Sequence, residues 1–407
     1  MTNEKIEKLI NESEKDLEHL FINIEKNALI NQKKVLDAFK TNNIALRHFN
    51  ATTGYGYGDE GREALKKVYS NVFNCEASIV SPNIVSGTHA LSLCLFGILR
   101  PDDLFLSVTG KPYDTLIDVI EGINIGSLKD FKIKFEYLNL LDGKIDYKIL
   151  LEKINKLKPK MIYLQRSRGY EWRDALTVSE IKRLCLFLRK NNFNGCIMVD
   201  NCYGEFIEEI EPTDVGADII AGSLIKNIGG GLAQTGGYIA GKSNYINLIE
   251  NRLTAPSIGG EVGSYAFTYQ YLFQGLFLAP HIVMQALKSS LLFGAVFNKL
   301  GYNSSPDIDK IPGDIIRAIK FNNKEKLISF INKIQQNSPV DSFVSVEPWD
   351  MPGYNHQVIM AAGCFVQGSS IELSADAPIK EPYIAYLQGS LTYEHSKIAL
   401  SEILKTY

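Results

Sequence analysis

Two rhythms of apolar positions run along this chain, and the first one is helical. Between residues 4 and about 40, apolar side chains recur every three or four positions among lysines and glutamates, with no proline or glycine to interrupt them. This spacing predicts a long amphipathic helix, whose apolar stripe has to cover another surface. We therefore predict an N-terminal helical arm over residues 1–50 that lies on the next domain or on a partner subunit.

The second rhythm, from about residue 100, consists of short apolar runs that alternate with helical segments. The runs typical of strands are 104–108, 135–140, 161–164, 196–199, 219–221 and 237–240, and the helical segments between them are 147–157 and 178–188. This alternation predicts a mostly parallel mixed sheet with helices on both faces. The last two runs are too close for a helix between them, which indicates one antiparallel strand. We assign residues 51–300 to this large α/β domain, whose ligands should bind beyond the carboxyl ends of the strands.

The pattern changes near residue 301. Predicted helices cover 314–319 and 324–335, predicted strands cover 342–346, 357–361, 370–373 and 383–387, and a final helix starts at Thr392. The linker 305–314, which carries two prolines and a glycine, leads into this part of the chain. Residues 301–407 are therefore predicted to form a small α+β C-terminal domain.

The composition is that of a globular protein with a small-molecule partner. The 407 residues are 45% hydrophobic, and a formal charge of −3 provides no basic surface for a nucleic acid or an anionic membrane. Six scattered cysteines form no C-x-x-C pair and no cluster with histidine at zinc spacing, so we expect reduced thiols and no metal site. The charged N-terminus shows no secretory signal, which predicts a cytoplasmic protein.

One uncharged stretch has the length of a membrane span. Residues 262–287 contain no Asp, Glu, Lys or Arg. Tyr269, Gln270, Gln274 and His281 interrupt its apolar residues, which favours helices buried against the large domain or at a subunit interface over a span in a bilayer.

The two most informative single residues end apolar runs. Asp200 follows the run 196–199, and Lys226 follows the run 217–225. A pyridoxal 5'-phosphate site needs such a pair, because the cofactor's aldehyde requires an amine for a Schiff base and its pyridine nitrogen requires a carboxylate that keeps it protonated. Singly, a lysine after a strand is usually a solvated charge and an aspartate there a helix cap. The prediction of this cofactor therefore depends on the pair and on further groups upstream.

A phosphate site is predicted where a polar turn opens an apolar helix. Ser86, Gly87, Thr88 and His89 lie at this turn, where free backbone N–H groups and the positive end of the helix dipole attract an anion. Gly87 lets a phosphate approach the backbone, Thr88 offers a hydroxyl, and His89 is expected to face the cofactor ring. Ser223, at the end of a later strand, is a further candidate phosphate ligand. The alternative is a hydroxyl cap on a core helix.

Aromatic and basic residues extend the predicted site. Tyr113 follows a strand end and is expected to stack on the pyridine ring. The glycine-rich loop around Tyr57 can deliver a phenol and, through Arg62, a cation to the phosphate, with an ordinary turn as the alternative. Arg168 follows the run 161–164 and offers a rigid fork of donors to a substrate carboxylate or to the cofactor's ring oxygen, although surface arginines are commoner.

Six stretches of the chain resemble one family of enzymes. They are GYGYGDEGRE, SGTHAL, GKPYDTL, VDNCYGEF, GSLIKNIGGGLAQTGGYIAG and IELSADAPIKEPYIAYLQGSLTYEH. With them the sequence resembles the fold-type I pyridoxal phosphate enzymes, whose fold is aspartate aminotransferase-like. Within these it is similar to the methionine gamma-lyase-like group, also described as aluminium resistance or cystathionine beta-lyase family proteins.

The resemblance implies a role for each candidate residue. Lys226 resembles the Schiff-base lysine and Asp200 the pyridinium partner; the stacking ring and the phosphate ligands are Tyr113, Gly87, Thr88 and Ser223. It also implies a homodimer or homotetramer with shared active sites, in which Tyr57 is a phosphate or catalytic contact donated across the interface. Arg168, Arg173 and Lys380 are the candidates for binding the substrate carboxylate.

We therefore expect a pyridoxal phosphate-dependent carbon–sulfur lyase that acts on a small sulfur amino acid of the cystathionine, cysteine or methionine type. Lys226 would abstract the alpha proton, and a thiol would leave from the beta or gamma position. Burial and the positive charge of the cofactor are expected to lower the pKa of Lys226 for this work. The alternatives are aminotransferase or aldolase chemistry on the same cofactor, and a cofactor-binding sensor or resistance protein without turnover.

Overall fold

The computed structural model describes residues 1–351 and 354–407. The helices in this part of the chain are α1 (Asn3–Thr41), α2 (Glu60–Val72), α3 (Gly87–Ile98), α4 (Asp114–Glu121), α5 (Tyr147–Leu157), α6 (Val178–Lys190), α7 (Ser243–Leu253), α8 (Gln270–Lys299), α9 (Lys324–Gln336) and α10 (Tyr393–Leu404). The strands are β1 (Ala77–Ser81), β2 (Leu104–Ser107), β3 (Lys134–Tyr137), β4 (Met161–Gln165), β5 (Cys196–Asp200), β6 (Ile219–Ser223), β7 (Gly237–Gly241), β8 (Asn303–Ser305), β9 (Arg317–Lys320), β10 (Val358–Ala361), β11 (Ser374–Pro378) and β12 (Ile384–Gln388).

The first seven strands form one mixed sheet in the order β1-β7-β6-β5-β4-β2-β3. Strands β2 to β6 pair in parallel, whereas β7 runs antiparallel to both of its neighbours, β1 and β6. The predicted mostly parallel sheet with one antiparallel strand is therefore confirmed. Strand β1 had no counterpart among the predicted elements, because its short sequence ASIVS gives almost no periodic signal.

Helices cover both faces of this sheet, as the strand sequences require. Along β5, Ile197 and Val199 pack into the core formed with α1, α2, α5, α6 and α8, whereas Cys196 and Met198 face the core formed with α3, α4 and α7. Neighbouring residues of a strand point to opposite faces, so a strand buried on both faces has to be apolar throughout. The predicted sheet with helices on both faces is therefore confirmed.

The N-terminal arm lies on its own chain. Helix α1 runs alongside α8, and its buried stripe contacts both parts of the protein: Ile6 and Ile10 join the core of the C-terminal region, and Leu17 and Leu20 join the core of the large sheet. By length and composition alone, α8 is the one helix of the described residues that could cross a membrane. Its apolar side chains are largely buried inside the protein, as predicted for the uncharged stretch.

The C-terminal strands form a second sheet, antiparallel throughout, in the order β10-β11-β12-β9-β8. Alternate residues of β11 and β12, such as Ala375 and Leu387, pack against α9 and α10 on one face. The opposite face carries Asp376, Tyr386 and Gln388 and turns toward the large sheet. The predicted boundary at residue 301 falls between α8 and β8.

Three predicted elements of this region are wrong. Residues 317–319 of the predicted helix 314–319 belong to β9, because pairing with β8 and β12 on both sides outweighs an ambiguous apolar spacing. The predicted strand 342–346 is irregular, with the Phe343 side chain exposed. The strand predicted at 370–373 begins at Ser374 instead, since Glu372 turns away to accept hydrogen bonds from two backbone N–H groups, of Phe365 and Val366.

Candidate active site

A cavity of about 560 Å³ lies between the carboxyl ends of the large-sheet strands and the uncovered face of the small sheet. Its size is typical of a site for a cofactor and a small substrate together. Ten of the predicted site residues line it: Ser86, Gly87, Thr88, Tyr113, Arg168, Arg173, Asp200, Ser223, Lys226 and Lys380. His89 and Tyr57 are not among its lining residues.

Asp200, the last residue of β5, provides a buried carboxylate with only neutral hydrogen-bond donors. One oxygen accepts from the backbone N–H of Cys202 at 3.1 Å, and the other from the Tyr163 hydroxyl at 3.4 Å. Because the side chain is only 4% exposed, burial raises the pKa of Asp200 to about 6, against a smaller opposing effect of the Lys226 charge. A ligand with a protonated ring nitrogen would supply the missing positive charge.

Lys226 follows the neighbouring strand, β6, and its amine lies between two hydroxyls. Nζ donates to Tyr203 Oη at 2.8 Å and to Ser370 Oγ at 2.9 Å, and the two hydroxyls are 3.1 Å apart. Burial lowers the pKa of Lys226 as expected, but the Tyr203 hydroxyl, the Cys202 thiol and the Asp376 carboxylate together outweigh it and leave the pKa raised. Without a cofactor, Lys226 is thus held as an ammonium ion.

Tyr203 is a site residue that the sequence analysis missed. It adopts φ +70°, a left-handed conformation that costs a non-glycine residue free energy and that directs its hydroxyl toward Lys226. Arg166, fully buried, fixes the surrounding loop by donating to Asn201 Oδ1 and to the Gly204 carbonyl, each at 2.8 Å. The only sequence signal was the position of Tyr203, three residues after Asp200 in the stretch VDNCYGEF.

The predicted phosphate end is built at the start of α3. Ser86 caps the helix by accepting from His89 N at 3.0 Å, so the hydroxyl-cap alternative holds for this residue, although Ser86 also lines the cavity. A Cβ atom on Gly87 would stand 3.2 Å from Cys202 Sγ and 3.6 Å from Ser223 Cβ. The space left by the missing side chain therefore lies between Cys202 and Ser223, next to unpaired N–H groups of the first helical turn.

His89 does not reach this cavity. Its Nδ1 accepts a hydrogen bond from the backbone N–H of Val85 at 3.2 Å, and its ring borders a separate surface cavity with Phe96 and Arg252. Successive residues of a helix point about 100° apart, and the bond to Val85 holds the His89 ring on a different side of α3 from Thr88. The expectation that His89 faces the cofactor ring is thus corrected.

Tyr113 forms one wall of the cavity at the start of α4. Its hydroxyl shares a hydrogen bond of 2.9 Å with Thr88 Oγ1, and its backbone N–H donates to Gln165 Oε1 at 3.2 Å. Burial raises the pKa of Tyr113 well above its ordinary value, so the phenol stays neutral. These two bonds fix an aromatic ring beside the phosphate end, where a stacking role requires it.

The glycine-rich loop lies away from the cavity of its own chain. Tyr57 is 70% exposed, and its ring lies beside that of Tyr55, with centroids 5.6 Å apart. Arg62 holds the loop in place by donating to the carbonyls of Gly56 and Gly263, each at 3.1 Å, and does not line the cavity. Its proposed role as a phosphate-binding cation is therefore not supported.

The basic candidates for a substrate carboxylate differ in their surroundings. Arg168 is 1% exposed and donates from Nη1 to Ser305 Oγ at 3.1 Å, while its Nε and Nη2 have no hydrogen-bond acceptor. Arg173 is committed to the backbone carbonyls of Gln165 and Ser167. Lys380 is exposed at the rim. Of the three, Arg168 combines burial in the wall of the cavity with two donor atoms, Nε and Nη2, that make no hydrogen bond, although Nη2 also forms an ion pair with Asp174 Oδ1 at 3.7 Å.

The small sheet adds polar groups that the sequence analysis did not select. Asp376 on β11 lines the cavity and accepts from Gln388 Nε2 on β12 at 2.9 Å. Ser370, in the segment before β11, contacts Lys226 as described above. The stretch that contains both residues carried the family resemblance, but nothing in its spacing indicated that it folds over the end of β6.

Comparison with protein families decides the identity of this arrangement. The model of the family described as "Methionine gamma-lyase" matches residues 6–407. The chain belongs to the methionine gamma-lyase family. The resemblance inferred from the six stretches is thereby confirmed over nearly the whole length.

Relatives of this methionine gamma-lyase family member share its sequence, its fold or both. YnbB of Bacillus subtilis (strain 168) is 48% identical over 401 residues, which cover 98% of this chain and 95% of YnbB. The crystal structure of a protein described as a carbon-sulfur lyase involved in aluminum resistance, from Clostridium novyi NT, is 49% identical, with a TM-score of 0.95 and coverage of 99% and 96% of the two chains. YhfS of Escherichia coli, described as a pyridoxal-5'-phosphate dependent protein, shares the fold at 16% identity, with a TM-score of 0.63 and coverage of 94% and 97%.

Proposed function

We propose that the protein is a pyridoxal phosphate-dependent carbon–sulfur lyase that removes the alpha proton of a sulfur amino acid and eliminates a thiol from its beta or gamma carbon. One observation carries the proposal: Lys226 and Asp200 stand at the ends of the adjacent parallel strands β6 and β5, in one buried cavity. The family and the description of the Clostridium novyi protein support the same chemistry. Substrates of the cystathionine, cysteine and methionine types are the candidates.

The residues present fit pyridoxal phosphate. Asp200 is a buried carboxylate without a cationic hydrogen-bond partner, which suits a protonated pyridine nitrogen. Gly87, Thr88 and Ser223 surround a space next to the amino end of α3, which suits a phosphate. When bound, the cofactor supplies an electron sink for the negative charge that develops at the substrate's alpha carbon.

Lys226 moves the alpha proton in this proposal. As a base, Nζ has to be in its neutral form, and Tyr203 Oη at 2.8 Å and Ser370 Oγ at 2.9 Å are the hydrogen-bond partners that orient it. The raised pKa of Lys226 in the cofactor-free state stems partly from the Tyr203 hydroxyl. Tyr203 therefore orients Lys226 and favours its protonated form in the cofactor-free protein.

Arg168 orients the substrate by its carboxylate. Its Nε and Nη2 lack acceptors, and a bidentate carboxylate would satisfy both. The buried position excludes water from the pair, so each bond contributes more than it would at the surface. Tyr113, held by Thr88 and Gln165, limits the space on one side of the reacting carbon.

The ultraviolet–visible spectrum, followed by a panel of amino acids, tests this function. The protein with pyridoxal phosphate should show the visible band of a lysine-linked cofactor and should release free thiol and keto acid from cystathionine, cysteine or methionine. Lys226→Ala should lose both the band and the activity, whereas Lys111→Ala, at an exposed lysine of the cavity rim, should keep the band. A protein without a band, or one active only with a keto-acid acceptor, would contradict the proposal.

We further propose that the active enzyme is a homodimer or homotetramer, with Tyr57 of one copy reaching the phosphate end of another. Large apolar side chains are exposed along the glycine-rich loop and the segments around it, a pattern that marks an association surface. They are Leu46, Tyr55, Tyr57, Val85 and Phe267, each at least 70% exposed. The resemblance supports a shared site of this kind.

Mixed oligomers test the shared site. If Tyr57→Ala and Lys226→Ala are each inactive, subunit exchange between them should restore about a quarter of the wild-type activity, because one site of each hybrid pair is intact. Mixtures that remain inactive after exchange, or a monomer in sedimentation experiments, would contradict the proposal.

A further inference from the structure

The uncovered face of the small sheet presents a carboxylate to the cavity that the proposed reaction does not use. Asp376 is a cross-strand neighbour of Tyr386, and both side chains alternate with the small apolar residues that face α9 and α10. Strand pairing therefore fixes the carboxylate against the cavity rather than in the core of the small sheet. The register of β11 fixes this orientation, since a slip by one residue would bury the Asp376 carboxylate among apolar side chains.

Neutral groups surround this carboxylate. Gln388 Nε2 donates to Asp376 Oδ2 at 2.9 Å, and the neighbouring Tyr170 phenol also acts to lower the pKa of the carboxyl group. Burial raises the pKa of Asp376 to about 6, which the Gln388 bond and the Lys226 charge oppose, so the group is largely ionised at neutral pH. Lys226 is the nearest charge that attracts it, and in the proposed function that amine is engaged with the cofactor and the alpha proton.

Aromatic side chains line the cavity together with the Asp376 carboxylate. The ring of Tyr170 lies 5.8 Å from that of Tyr354 and 5.2 Å from that of Tyr386. Tyr386 Oη links two of these side chains' segments by donating a hydrogen bond to the Tyr170 carbonyl oxygen at 2.5 Å. A carboxylate among ring faces attracts a cation by both its charge and the ring quadrupoles.

Two carboxylates on strands line the cavity, Asp200 on β5 and Asp376 on β11, whereas the other acidic lining residues, Asp114 and Glu171, are exposed. Asp200 suits the cofactor's ring nitrogen and Arg168 the substrate's carboxylate, so Asp376 is the carboxylate left to face the part of the substrate beyond its alpha carbon. We propose that Asp376, with the rings of Tyr170 and Tyr354, is a subsite for a protonated amine on the leaving-group arm of the substrate. This assignment rests on the proposed lyase function and narrows its substrate class to thioether amino acids with a cationic arm.

Two substrates of equal size test the subsite on the cofactor-loaded enzyme. S-(2-aminoethyl)-L-cysteine ends in an ammonium group where S-propyl-L-cysteine ends in a methyl group. We expect kcat/KM to be about 10- to 100-fold higher for the aminoethyl compound, the range of a charge-assisted hydrogen bond. Asp376→Asn should bring the ratio of the two kcat/KM values to about one. The ratio is the readout, because the carboxylate also raises the pKa of Lys226 and its loss can change the two rates together.

Controls separate recognition from other roles of the carboxylate. Asp114→Asn removes a charge at an exposed position of the same cavity and should keep the preference. If Asp376→Asn slows both substrates equally, the carboxylate acts as an acid toward the leaving thiol or as a structural group, and the proposal is overturned. A wild-type enzyme without a preference overturns it as well, and that measurement needs no variant.

Binding measurements keep this inference distinct from the proposed lyase function. Changes in cofactor absorbance give dissociation constants for both compounds without turnover. Tighter binding of the aminoethyl compound without thiol release would refute the lyase function and retain the subsite. Thiol release without a preference between the two compounds would support the lyase function and refute the subsite.

Discussion

Replacing Asp200 by asparagine tests whether the site is built for a missing positive charge. The asparagine keeps the shape of the side chain and the acceptor for the Cys202 N–H, and its amide can still contact the Tyr163 hydroxyl. It removes only the negative charge. In the cofactor-free protein that charge destabilises the folded state, because it is buried with two neutral donors and lies at a distance from Lys226.

The size of this effect on the free energy of unfolding follows from the shift in the pKa of Asp200. Burial raises the pKa of Asp200 from 3.8 to about 6. A shift of this size corresponds to about 3 kcal/mol, at roughly 1.4 kcal/mol per unit. Because the folded protein binds the proton more tightly than the unfolded chain, the cost is absent below pH 3.8, grows as the pH rises to about 6, and is constant above it. Asp200→Asn should therefore stabilise the cofactor-free protein by up to about 3 kcal/mol at pH 8 and by little at pH 4.

Thermal unfolding of the cofactor-free protein at both pH values measures this effect. The apparent melting temperature of the variant should exceed that of the wild type at pH 8, and pyridoxal phosphate should raise it less than it raises the wild type, since the variant cannot pair with a ring cation. Asp174→Asn is the control, for which we expect the opposite change in stability. That carboxylate accepts from Lys310 Nζ at 2.8 Å and has a lowered pKa, so its loss should destabilise the protein at pH 8 and less at low pH.

One result would refute the reasoning. If Asp200→Asn has a native circular dichroism spectrum and melts at or below the wild-type temperature at pH 8, the carboxylate is already compensated in the cofactor-free protein. The argument that it awaits a pyridinium cation would then fail, even if the protein binds the cofactor by other groups.

Three further substitutions test individual parts of the site. Tyr203→Phe should lower kcat by about 100-fold and retain the visible cofactor band, because only the hydroxyl that orients Lys226 Nζ is lost; an unchanged kcat in steady-state assays would show that this hydrogen bond does not position the base. Arg168→Gln should raise KM by about tenfold or more, whereas Lys380→Gln should change it by less than about threefold; the reverse order would make Lys380 the carboxylate ligand. Gly87→Val should weaken cofactor binding by at least about tenfold in absorbance titrations, because its side chain would fill the space beside Cys202 Sγ; an unchanged affinity would contradict a phosphate position there.

Local periodicity determined most of the large domain. The apolar runs that predicted β2, β4, β5, β6 and β7 also fixed where those strands end, and a residue at a strand end lies at the edge of the sheet wherever the strand is placed. Asp200 and Lys226 could therefore be found in the sequence, and so could the helix that begins at Gly87. The Ser86 cap and the apolar stripe of α1 follow the same local rules.

Tertiary structure alone decided the small domain's contribution. Ser370 and Asp376 are separated from Lys226 by more than 140 positions, and they reach it only because the uncovered face of the small sheet closes over the large one. β9 is a strand because two neighbouring strands pair with it, although its sequence allows a helix.

The sequence by itself determined the fold class, the family, and the acid and the amine at the strand ends, because these depend on residue spacing over a few turns or strands. Only the tertiary structure decided that His89 points away, that Tyr203 and Ser370 hold the amine of Lys226, and that Asp376 faces the space beyond it. The physical reason is that a side chain's direction depends on backbone dihedral angles and on packing between distant segments, which local patterns of polarity do not record.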